Sequence, residues 1–359
     1  MATSRGRDIV VVAASAGGLE PLRTLLAGLP ADLPAAVLVV LHVPASGGRT
    51  LPHILDRAGP LPAAAAVDGE PLRPGRVYVA PPHRHLLVMT DVVRTSRGPR
   101  QNGVRPAANP LFRSAALVGG PRTIGVVLSG TLDDAALGSA TVEQRGGRVI
   151  VQDPAEASYD SMPQCALAVT EHAEIQPTGR LAATVVRLVS EQAETRPAEP
   201  APELEAEVRG LLASDPLPRA MARDYGGFSC PDCGGPLYHA KEGNVVSYGC
   251  ATGHRWSPQA LLEQQTDAVE RALWLAIRSL DERGRLTEGL AESARQRGHA
   301  LTAARFQDAS KEARLAADVI RNAASGMNPV TEAEAPDTDG PVPMCPLQTD
   351  RKGVRSGCG

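Results

Sequence analysis

The chain is poor in aromatic residues and carries little net charge. Only 3% of its 359 residues are Phe, Trp or Tyr, and the formal net charge at pH 7 is -3. Few aromatic rings leave few platforms on which nucleic-acid bases could stack. A nearly neutral chain also lacks an overall attraction for phosphate backbones, although a local basic patch is compatible with these totals. A nucleic-acid binder is therefore the least favoured class of function.

Long apolar runs are absent as well. The early apolar stretch 35–41 is far shorter than the roughly 20 residues that a membrane-spanning helix needs. The residues after Met1 lack the charged, apolar and small-residue regions of a signal peptide. We therefore expect a soluble, cytoplasmic protein without membrane insertion.

Cysteine is scarce, and only Cys230 and Cys233 lie close together among the six. This usage disfavours the disulfide framework of a secreted protein and favours metal binding. The pair forms a C-x-x-C knuckle, and the sequence C-A-T-G-H follows about twenty residues later, which is typical of a closed, tetrahedral structural zinc site. The predicted ligands are Cys230, Cys233, Cys250 and His254, with His239 as the competing fourth ligand.

Residues 1–192 alternate between apolar strand-like runs and amphipathic helical patterns, which predicts one domain. The predicted strands are 9–14, 35–41, 77–80, 123–128 and 148–152, with a hairpin at 86–94 beside 77–80. Buried strands that alternate with helices are typical of an α/β fold. We therefore predict a doubly wound, mostly parallel sheet in a Rossmann-like three-layer arrangement.

The rest of the chain divides into four further segments. Residues 193–226 begin with a Pro-, Ala- and Glu-rich stretch and read as a linker with room for a short helix. Residues 227–257 form the predicted zinc-binding unit, and apolar residues at helical spacing over 258–325 predict a helical hairpin or coiled coil with a break near Gly298. The Pro-, Asp- and Gly-rich tail 326–359 is predicted to be disordered.

Ser15 lies where the apolar run 9–14 breaks into Ser15-Ala16-Gly17-Gly18 before an amphipathic segment. A strand, a tight glycine turn and a helix can present a serine hydroxyl as a nucleophile, and the helix start supplies N–H groups for an oxyanion. A helix cap is the structural alternative. A phosphate-binding turn is disfavoured because no G-x-G-x-x-G sequence follows the strand.

A histidine and two carboxylates follow other predicted strands. His42 comes directly after 35–41, and Asp133 and Asp134 come shortly after 123–128. Because parallel strands end at the same edge of the sheet, these side chains are expected to meet Ser15 there. The order Ser, His, Asp disfavours an α/β-hydrolase, in which the acid precedes the histidine.

A set of short motifs across the first half of the chain resembles the catalytic domain of the chemotaxis protein-glutamate methylesterases. The motifs are A-S-A-G-G at 14–18, L-H-V-P at 41–44, V-A-P-P-H-R-H at 79–85, R-P at 105–106, L-F-R-S-A at 111–115, L-S-G at 128–130 and Q-D to M-P over 152–163. The resemblance implies hydrolysis of glutamate methyl esters, and deamidation of glutamines, on the cytoplasmic domains of chemoreceptors. It implies no cofactor for catalysis.

The resemblance also implies roles for individual residues. Ser15 is the expected nucleophile, His42 the general base and then acid, and Asp134 the carboxylate that orients the imidazole. The expected oxyanion-binding or substrate-binding residues are Ala16, Gly17 and Thr131.

The chain departs from the family pattern at several points. The family usually has threonine in place of Ala16, and the loop Gly-Met-Gly-x-Asp-Gly in place of 130–135, so Leu132 and Ala135 replace glycines. This change restricts a turn that needs positive φ angles. The family's N-terminal receiver domain is not expected, because the catalytic pattern begins within ten residues of Met1. Activity is then constitutive or is governed by a partner or by the C-terminal module.

A zinc knuckle followed by a long helix is similar to the tail of some family members that lack the receiver domain. The helical module is therefore a candidate docking site for a signalling partner. The alternative function for the whole chain is a non-catalytic signalling adaptor that keeps the fold and binds partners through this module.

Overall fold

The structure is a computed structural model that describes residues 6–42, 50–193, 201–213, 225–242 and 245–326. The predicted disordered tail lies outside the described residues, apart from position 326. The described chain divides into two compact units, one up to residue 260 and one from residue 261 onward. No helix among the described residues is long and apolar enough to cross a membrane.

A seven-stranded sheet forms the centre of the first unit. In chain order its strands are β1 (Ile9–Ala14), β2 (Ala36–Leu41), β3 (Ala63–Ala65), β4 (Arg76–Val79), β7 (Thr123–Val127), β8 (Arg148–Gln152) and β9 (Glu174–Gln176). The strand order is β3-β4-β2-β1-β7-β8-β9, and all neighbouring pairs are parallel. The predicted parallel α/β sheet is confirmed.

Helices cover both faces of this sheet. They are α1 (Leu19–Ala27), α2 (Leu51–Asp56), α3 (Ala108–Gly119), α4 (Ala136–Gln144), α5 (Ser161–Val169) and α6 (Leu181–Ser190). Alternate residues of β1 point to opposite faces: Val10 and Val12 join a core with side chains of α1 and α6, while Val11 joins one with α3, α4 and α5. Apolar strands buried on both faces produce the predicted three layers.

The predicted hairpin is present as β5 (His85–Met89) and β6 (Val92–Ser96), and these two strands form a separate antiparallel sheet. Leu86, Val88 and Val93 pack in the same core as Tyr78 of β4, so the hairpin lies beside that strand without joining its ladder. Strands β3 and β9 were not predicted, because three residues each are too few to form a sequence pattern.

The remainder of the first unit contains one helix and a small sheet. Helix α7 (Pro202–Ala213) lies within the predicted linker. Strands β10 (Tyr225–Ser229), β11 (Pro236–Glu242), β12 (Val245–Cys250) and β13 (Arg255–Trp256) form an antiparallel sheet in that order. We call residues 225–257 the Cys/His unit, and its Trp256 side chain is fully buried.

The second unit is a helical hairpin made by α8 (Pro258–Gln296), most of which belongs to this unit, and α9 (Ala300–Gly326). Gly298 has a φ of +77° in the turn, and the Gly298 N–H donates to the Arg295 carbonyl. A left-handed glycine just past the last helical turn is a common helix terminator. The Asp281 carboxylate pairs with Arg321 at 3.1 Å across the hairpin. The predicted hairpin is therefore confirmed in place of a longer coiled coil.

Candidate active site

The three predicted catalytic residues lie at the carboxyl ends of neighbouring strands. Ser15 follows β1, His42 follows β2, and Asp134 lies in the loop after β7. In the sheet, β2, β4 and β3 extend to one side of β1, and β8 and β9 extend to the opposite side of β7. The carboxyl ends of β1 and β7 therefore mark the topological switch point of the sheet. Open α/β sheets place their binding crevices at such a point.

The side chains form a continuous series of close contacts. The Ser15 Oγ atom lies 3.3 Å from His42 Nδ1, and His42 Nε2 lies 3.0 Å from Asp134 Oδ2. The second distance suits a charge pair, but the ring N–H is not aligned as in an ideal hydrogen bond. A hydroxyl, an imidazole and a carboxylate in this order can pass a proton away from a nucleophilic serine.

The Asp134 carboxylate is buried and surrounded by backbone donors. Its oxygens accept hydrogen bonds from the N–H groups of Ala108 at 2.5 Å, Asn109 at 3.1 Å and Ala135 at 3.0 Å. Burial by itself raises the pKa of Asp134, but the His42 imidazole and these N–H groups outweigh burial and lower the pKa below its ordinary value. Two of the donors belong to the first turn of α3, where the helix dipole also favours an anion. The carboxylate therefore stays charged.

The neighbouring Asp133 side chain points elsewhere. Its Oδ1 atom accepts a hydrogen bond from Ser257 Oγ at 2.8 Å and lies 3.3 Å from Asn102 Nδ2. Of the two carboxylates that the sequence left as alternatives, Asp134 is the one beside His42. Leu132 and Ala135, which replace glycines of the family pattern, adopt left-handed conformations with φ of +61° and +80°.

The turn at Ser15 is shaped by its glycines. Gly17 has a φ of +69°, and Gly18 is the N-cap residue of α1, so Ser15 itself does not cap the helix. A Cβ atom at Gly130 would lie 2.8 Å from the Ser15 Cβ atom and would also clash with the Met162 side chain. The turn at Ser15 and the loop after β7 can approach each other only because residue 130 lacks a side chain.

Three backbone N–H groups near Ser15 are candidates for binding an oxyanion. Ala16 and Gly17 follow Ser15 in the turn, and Thr131 begins the loop after β7. Within the described part of the chain, no group accepts a hydrogen bond from the N–H of any of these three residues. Donors with unused capacity beside a nucleophile are what an oxyanion hole requires.

Sequence reasoning missed the role of Ser129, which links the parts of the site. The Ser129 Oγ atom donates to the Ala16 carbonyl at 2.8 Å and accepts from the Tyr159 N–H at 3.0 Å. The Ser129 carbonyl accepts from the Ser15 N–H at 3.0 Å, and the Ser129 N–H donates to Gln152 Oε1 at 2.8 Å. The available signal was a serine two residues after the apolar run of β7, followed directly by a glycine.

A cleft of about 240 Å³ opens beside His42. Its other lining residues are His83, Arg100, Gly103, Val104, Arg105 and Pro106. Two of these residues are arginines: Arg105 donates to the carbonyls of Arg97 and Gly98, and Arg100 lies 3.6 Å from Asp232.

The two histidines of the V-A-P-P-H-R-H motif, His83 and His85, lie in different environments. His83 lines the cleft, whereas His85 is fully buried. The His85 ring accepts from the Ala107 N–H and donates to the Pro99 carbonyl. Burial lowers the pKa of His85 to about 4, so the ring is neutral near pH 7 and cannot serve as a charged acid there.

The structure brings the four predicted metal ligands together, with their ligand atoms within 4.8 Å of one another. Cys233 Sγ lies 3.7 Å from Cys250 Sγ, and His254 Nδ1 lies 3.5 Å from Cys250 Sγ and 3.7 Å from Cys230 Sγ. Zn–S bonds of about 2.3 Å and Zn–N bonds of about 2.0 Å give tetrahedron edges of roughly 3.5 to 3.8 Å. The donors and their spacing therefore fit a structural zinc ion.

The competing ligand His239 lies outside this cluster. It is on β11, and its ring centroid is 5.0 Å from that of Tyr248. The outer nitrogen of His254 lies 3.9 Å from an Asp232 carboxylate oxygen, which is within ion-pair range but too far for a direct hydrogen bond.

Comparison with known proteins places residues 10–185 within the CheB methylesterase family. A relative from Anaeromyxobacter dehalogenans, named protein-glutamate methylesterase/protein-glutamine glutaminase 3, is 46% identical over 46% of this chain and 48% of its own length. A relative of the same name, numbered 4, from Myxococcus xanthus is 42% identical over 43% of this chain and 44% of its own length. The chain spans about half the length of the curated relatives that it matches.

Among solved structures, the Thermotoga maritima CheB methylesterase catalytic domain is 30% identical to this chain. The match covers 50% of this chain and 98% of that domain, with a TM-score of 0.48. Residues 10–185 of this chain form a domain of the CheB methylesterase family.

Proposed function

We propose that the chain is a serine esterase that removes methyl groups from glutamate methyl esters on the cytoplasmic domains of chemoreceptors. The observation that carries this proposal is the series of contacts from Ser15 Oγ through His42 to Asp134 at the switch point of the sheet. The family of residues 10–185 and the names of the relatives support the same reaction. The cleft arginines, Arg100 and Arg105, suit the acidic surroundings of a glutamate-rich substrate.

The reaction begins when His42 Nδ1 takes the proton of Ser15 Oγ and that oxygen attacks the ester carbonyl carbon. The resulting oxyanion is stabilised by the N–H groups of Ala16, Gly17 and Thr131. The C–O bond to the methoxy group then breaks as His42 returns the proton, which releases methanol and leaves an acyl-enzyme.

Water completes the cycle by attacking the acyl-enzyme while His42 takes its proton. Ser15 leaves with that proton, and the product is a free glutamate carboxylate. Asp134 keeps the imidazole oriented and stabilises its charged form in both halves of the reaction. With a glutamine side chain the same steps release ammonia, which is the deamidation that the names of the relatives also carry.

Methanol release from purified, methylated receptor tests this proposal. The wild-type chain is expected to release methanol at a rate that depends on enzyme concentration, and Ser15→Ala should release none. If neither protein releases methanol while a verified methylesterase does so in parallel, the methylesterase proposal is wrong. The adaptor alternative predicts this negative result together with tight receptor binding.

We further propose that Cys230, Cys233, Cys250 and His254 hold a structural zinc ion. Bound zinc would fix the fold of the Cys/His unit and leave no position open for a catalytic water. Metal analysis should find zinc in the purified chain at a 1:1 ratio, and Cys233→Ser should lose it. Cys165→Ser is the matched control, because that buried cysteine lies outside the cluster. Equal zinc contents in both variants would contradict the assignment.

The second unit is proposed to dock a signalling partner. Its helices expose large apolar side chains, including Trp274 and Leu275 on α8 and Val319 on α9. The double variant Trp274→Ala/Leu275→Ala should weaken binding of the receptor cytoplasmic domain while leaving hydrolysis of a small activated ester unchanged. Unchanged receptor binding would contradict this role.

A further inference from the structure

The Cys/His unit is hydrogen-bonded directly to the loop that carries the triad acid. Ser257, which directly follows the last strand of the unit, donates through its Oγ to Asp133 Oδ1 at 2.8 Å. The Ser257 N–H donates to Asn102 Oδ1 at 2.9 Å, and the other end of that carboxamide lies 3.3 Å from Asp133 Oδ1. Asp133 is only 2% exposed, so these donors replace water around a buried carboxylate. Asp133 is the residue immediately before Asp134.

The loop held in this way is strained. Leu132 and Ala135, which flank the two aspartates, have φ angles of +61° and +80°. A residue with a side chain pays about 1 kcal/mol or more for such a conformation, and it persists only where surrounding contacts enforce it. The Asp133 contacts to Ser257 and Asn102 lie between the two strained positions.

A second set of contacts joins the Cys/His unit to the helix that receives Asp134. The Arg255 guanidinium pairs with Glu207 of α7 at 3.0 Å, and Glu207 also pairs with Arg113 of α3. All three side chains are buried, and Arg113 donates further to Thr141 Oγ1 of α4 at 2.9 Å. The first turn of α3 supplies two of the N–H groups that bind the Asp134 carboxylate. The unit is therefore linked to both supports of the triad acid, directly to the loop through Ser257 and indirectly to α3 through Glu207.

The backbone of the unit contributes as well. The Asn102 N–H donates to the Arg255 carbonyl at 2.8 Å, and the Trp256 ring packs against Gly103. Arg255 directly follows His254, one of the proposed metal ligands. The three residues that directly follow a proposed metal ligand, residues 255–257, are thus the ones that contact Asn102, Gly103 and the acid loop.

We propose that the Cys/His unit clamps the acid loop of the triad, with Ser257 as a positioning residue that acts on Asp134 through Asp133. The clamp holds Leu132 and Ala135 in left-handed conformations that glycines would adopt without strain. It also makes hydrolysis depend on a folded Cys/His unit. This inference rests on the proposed function, because Asp134 is a triad residue only in a serine esterase.

The test compares Ser257→Ala with Ser257→Thr, which keeps the hydroxyl, and with Ser247→Ala. Ser247 is a buried serine of the same unit whose hydroxyl donates to the Ala240 carbonyl, so its loss perturbs the unit without touching Asp133. The probe is a fluorophosphonate, and its rate of attachment to Ser15 reports the reactivity of the serine on any ester substrate. Zinc content and the thermal midpoint are measured on each protein.

Ser257→Ala is expected to lower the phosphonylation rate about 10-fold. The kcat for hydrolysis of a small activated ester should fall by the same factor, with the KM for that ester and the zinc content unchanged. Ser257→Thr should recover most of this loss, and Ser247→Ala should label at the wild-type rate. Because Ser257 acts through Asp133, the double variant Asp133→Asn/Ser257→Ala should react no more slowly than Asp133→Asn alone. Equal rates for Ser257→Ala and Ser247→Ala, or additive losses in the double variant, would overturn the clamp.

Zinc removal gives an independent readout. Chelation should increase hydrogen–deuterium exchange in peptides that cover residues 131–136, as well as in the unit itself. Exchange confined to the unit would overturn the clamp. A wild-type chain that labels at Ser15 and follows this variant pattern, but releases no methanol from methylated receptor, would leave the clamp intact and reject only the proposed substrate.

Discussion

Asp133 and Asp134 are consecutive in the chain, yet their carboxylates face different elements. Asp134 lies 3.0 Å from the His42 ring, and Asp133 lies 2.8 Å from the Ser257 hydroxyl. Adjacent residues in a turn can point in opposite directions, and here the left-handed residues on either side fix that divergence. One carboxylate is thereby available to the imidazole, while the other anchors the loop.

Exchanging each carboxylate for an amide should separate these two roles. Asp134→Asn removes the charge that stabilises the imidazolium, so kcat should fall by roughly 10³ to 10⁴. Asp133→Asn keeps a hydrogen-bond acceptor in the loop, and its kcat should fall only about 10-fold. Steady-state methanol release measures both values. Equal losses for the two variants, or the larger loss at Asp133, would contradict the assignment of Asp134 to the triad.

Ser129→Ala should disturb the nucleophile turn. Its hydroxyl joins the Ala16 carbonyl to the Tyr159 N–H, so its loss removes a partner from two part-buried backbone groups. We expect the free energy of unfolding to fall by about 1 kcal/mol and kcat to fall about 10-fold. Urea unfolding and ester hydrolysis measure these effects.

Ser139→Ala is the matched control for that variant. Ser139 is equally buried, but its hydroxyl has no hydrogen-bond partner among the described residues. Its removal should leave stability and kcat at the wild-type level or raise stability slightly. Similar losses in both variants would show that burial of a serine, rather than the position of Ser129, explains the effect.

Gly130→Ala should displace Ser15. The added Cβ atom would lie 2.8 Å from the Ser15 Cβ, so the two turns must move apart. We expect a loss of about 1 to 3 kcal/mol in the free energy of unfolding and little phosphonylation of Ser15. Gly179→Ala serves as the control, because a Cβ atom there meets nothing within 4 Å. Wild-type labelling by Gly130→Ala would contradict this steric argument.

The buried His85 should make stability depend on pH. Its pKa is lowered from 6.5 to about 4 in the folded chain. Between these values the unfolded chain binds a proton that the folded chain does not, so stability falls as the pH drops below 6.5. From pH 7 to pH 5 the loss is about 2 kcal/mol.

The variant His85→Gln should show a correspondingly weaker decline in the free energy of unfolding over that range. Because the other titrating groups are common to both proteins, their difference isolates His85. An NMR titration of the wild-type ring should also place its midpoint near pH 4. A midpoint near 6.5 with the fold intact would contradict the buried, neutral imidazole.

The main sheet could be predicted from sequence because its strands are long apolar runs. Residues 9–14 and 36–41 are buried on both faces, so composition alone marks them as interior parallel strands. Strands β3 and β9 carry no such signal, because Ala63–Ala65 and Glu174–Gln176 are short edge segments whose structure depends on their neighbours.

The candidate site was predictable where a side chain follows a strand directly. Ser15 and His42 come immediately after β1 and β2, so the topology of a parallel sheet brings them to one edge. The choice between Asp133 and Asp134 depends on the conformation of a turn, which sequence spacing does not determine. The contacts of Ser257 with Asp133 and of Glu207 with Arg113 join residues more than 90 positions apart and have no local pattern.

The most direct test of the Ser15, His42 and Asp134 assignment is the rate and position of fluorophosphonate attachment, determined by mass spectrometry. The wild-type chain should acquire one label on the peptide that contains Ser15, while Ser15→Ala should acquire none and His42→Ala should react at least about 100-fold more slowly. A label on another residue, or wild-type labelling in His42→Ala, would contradict the account.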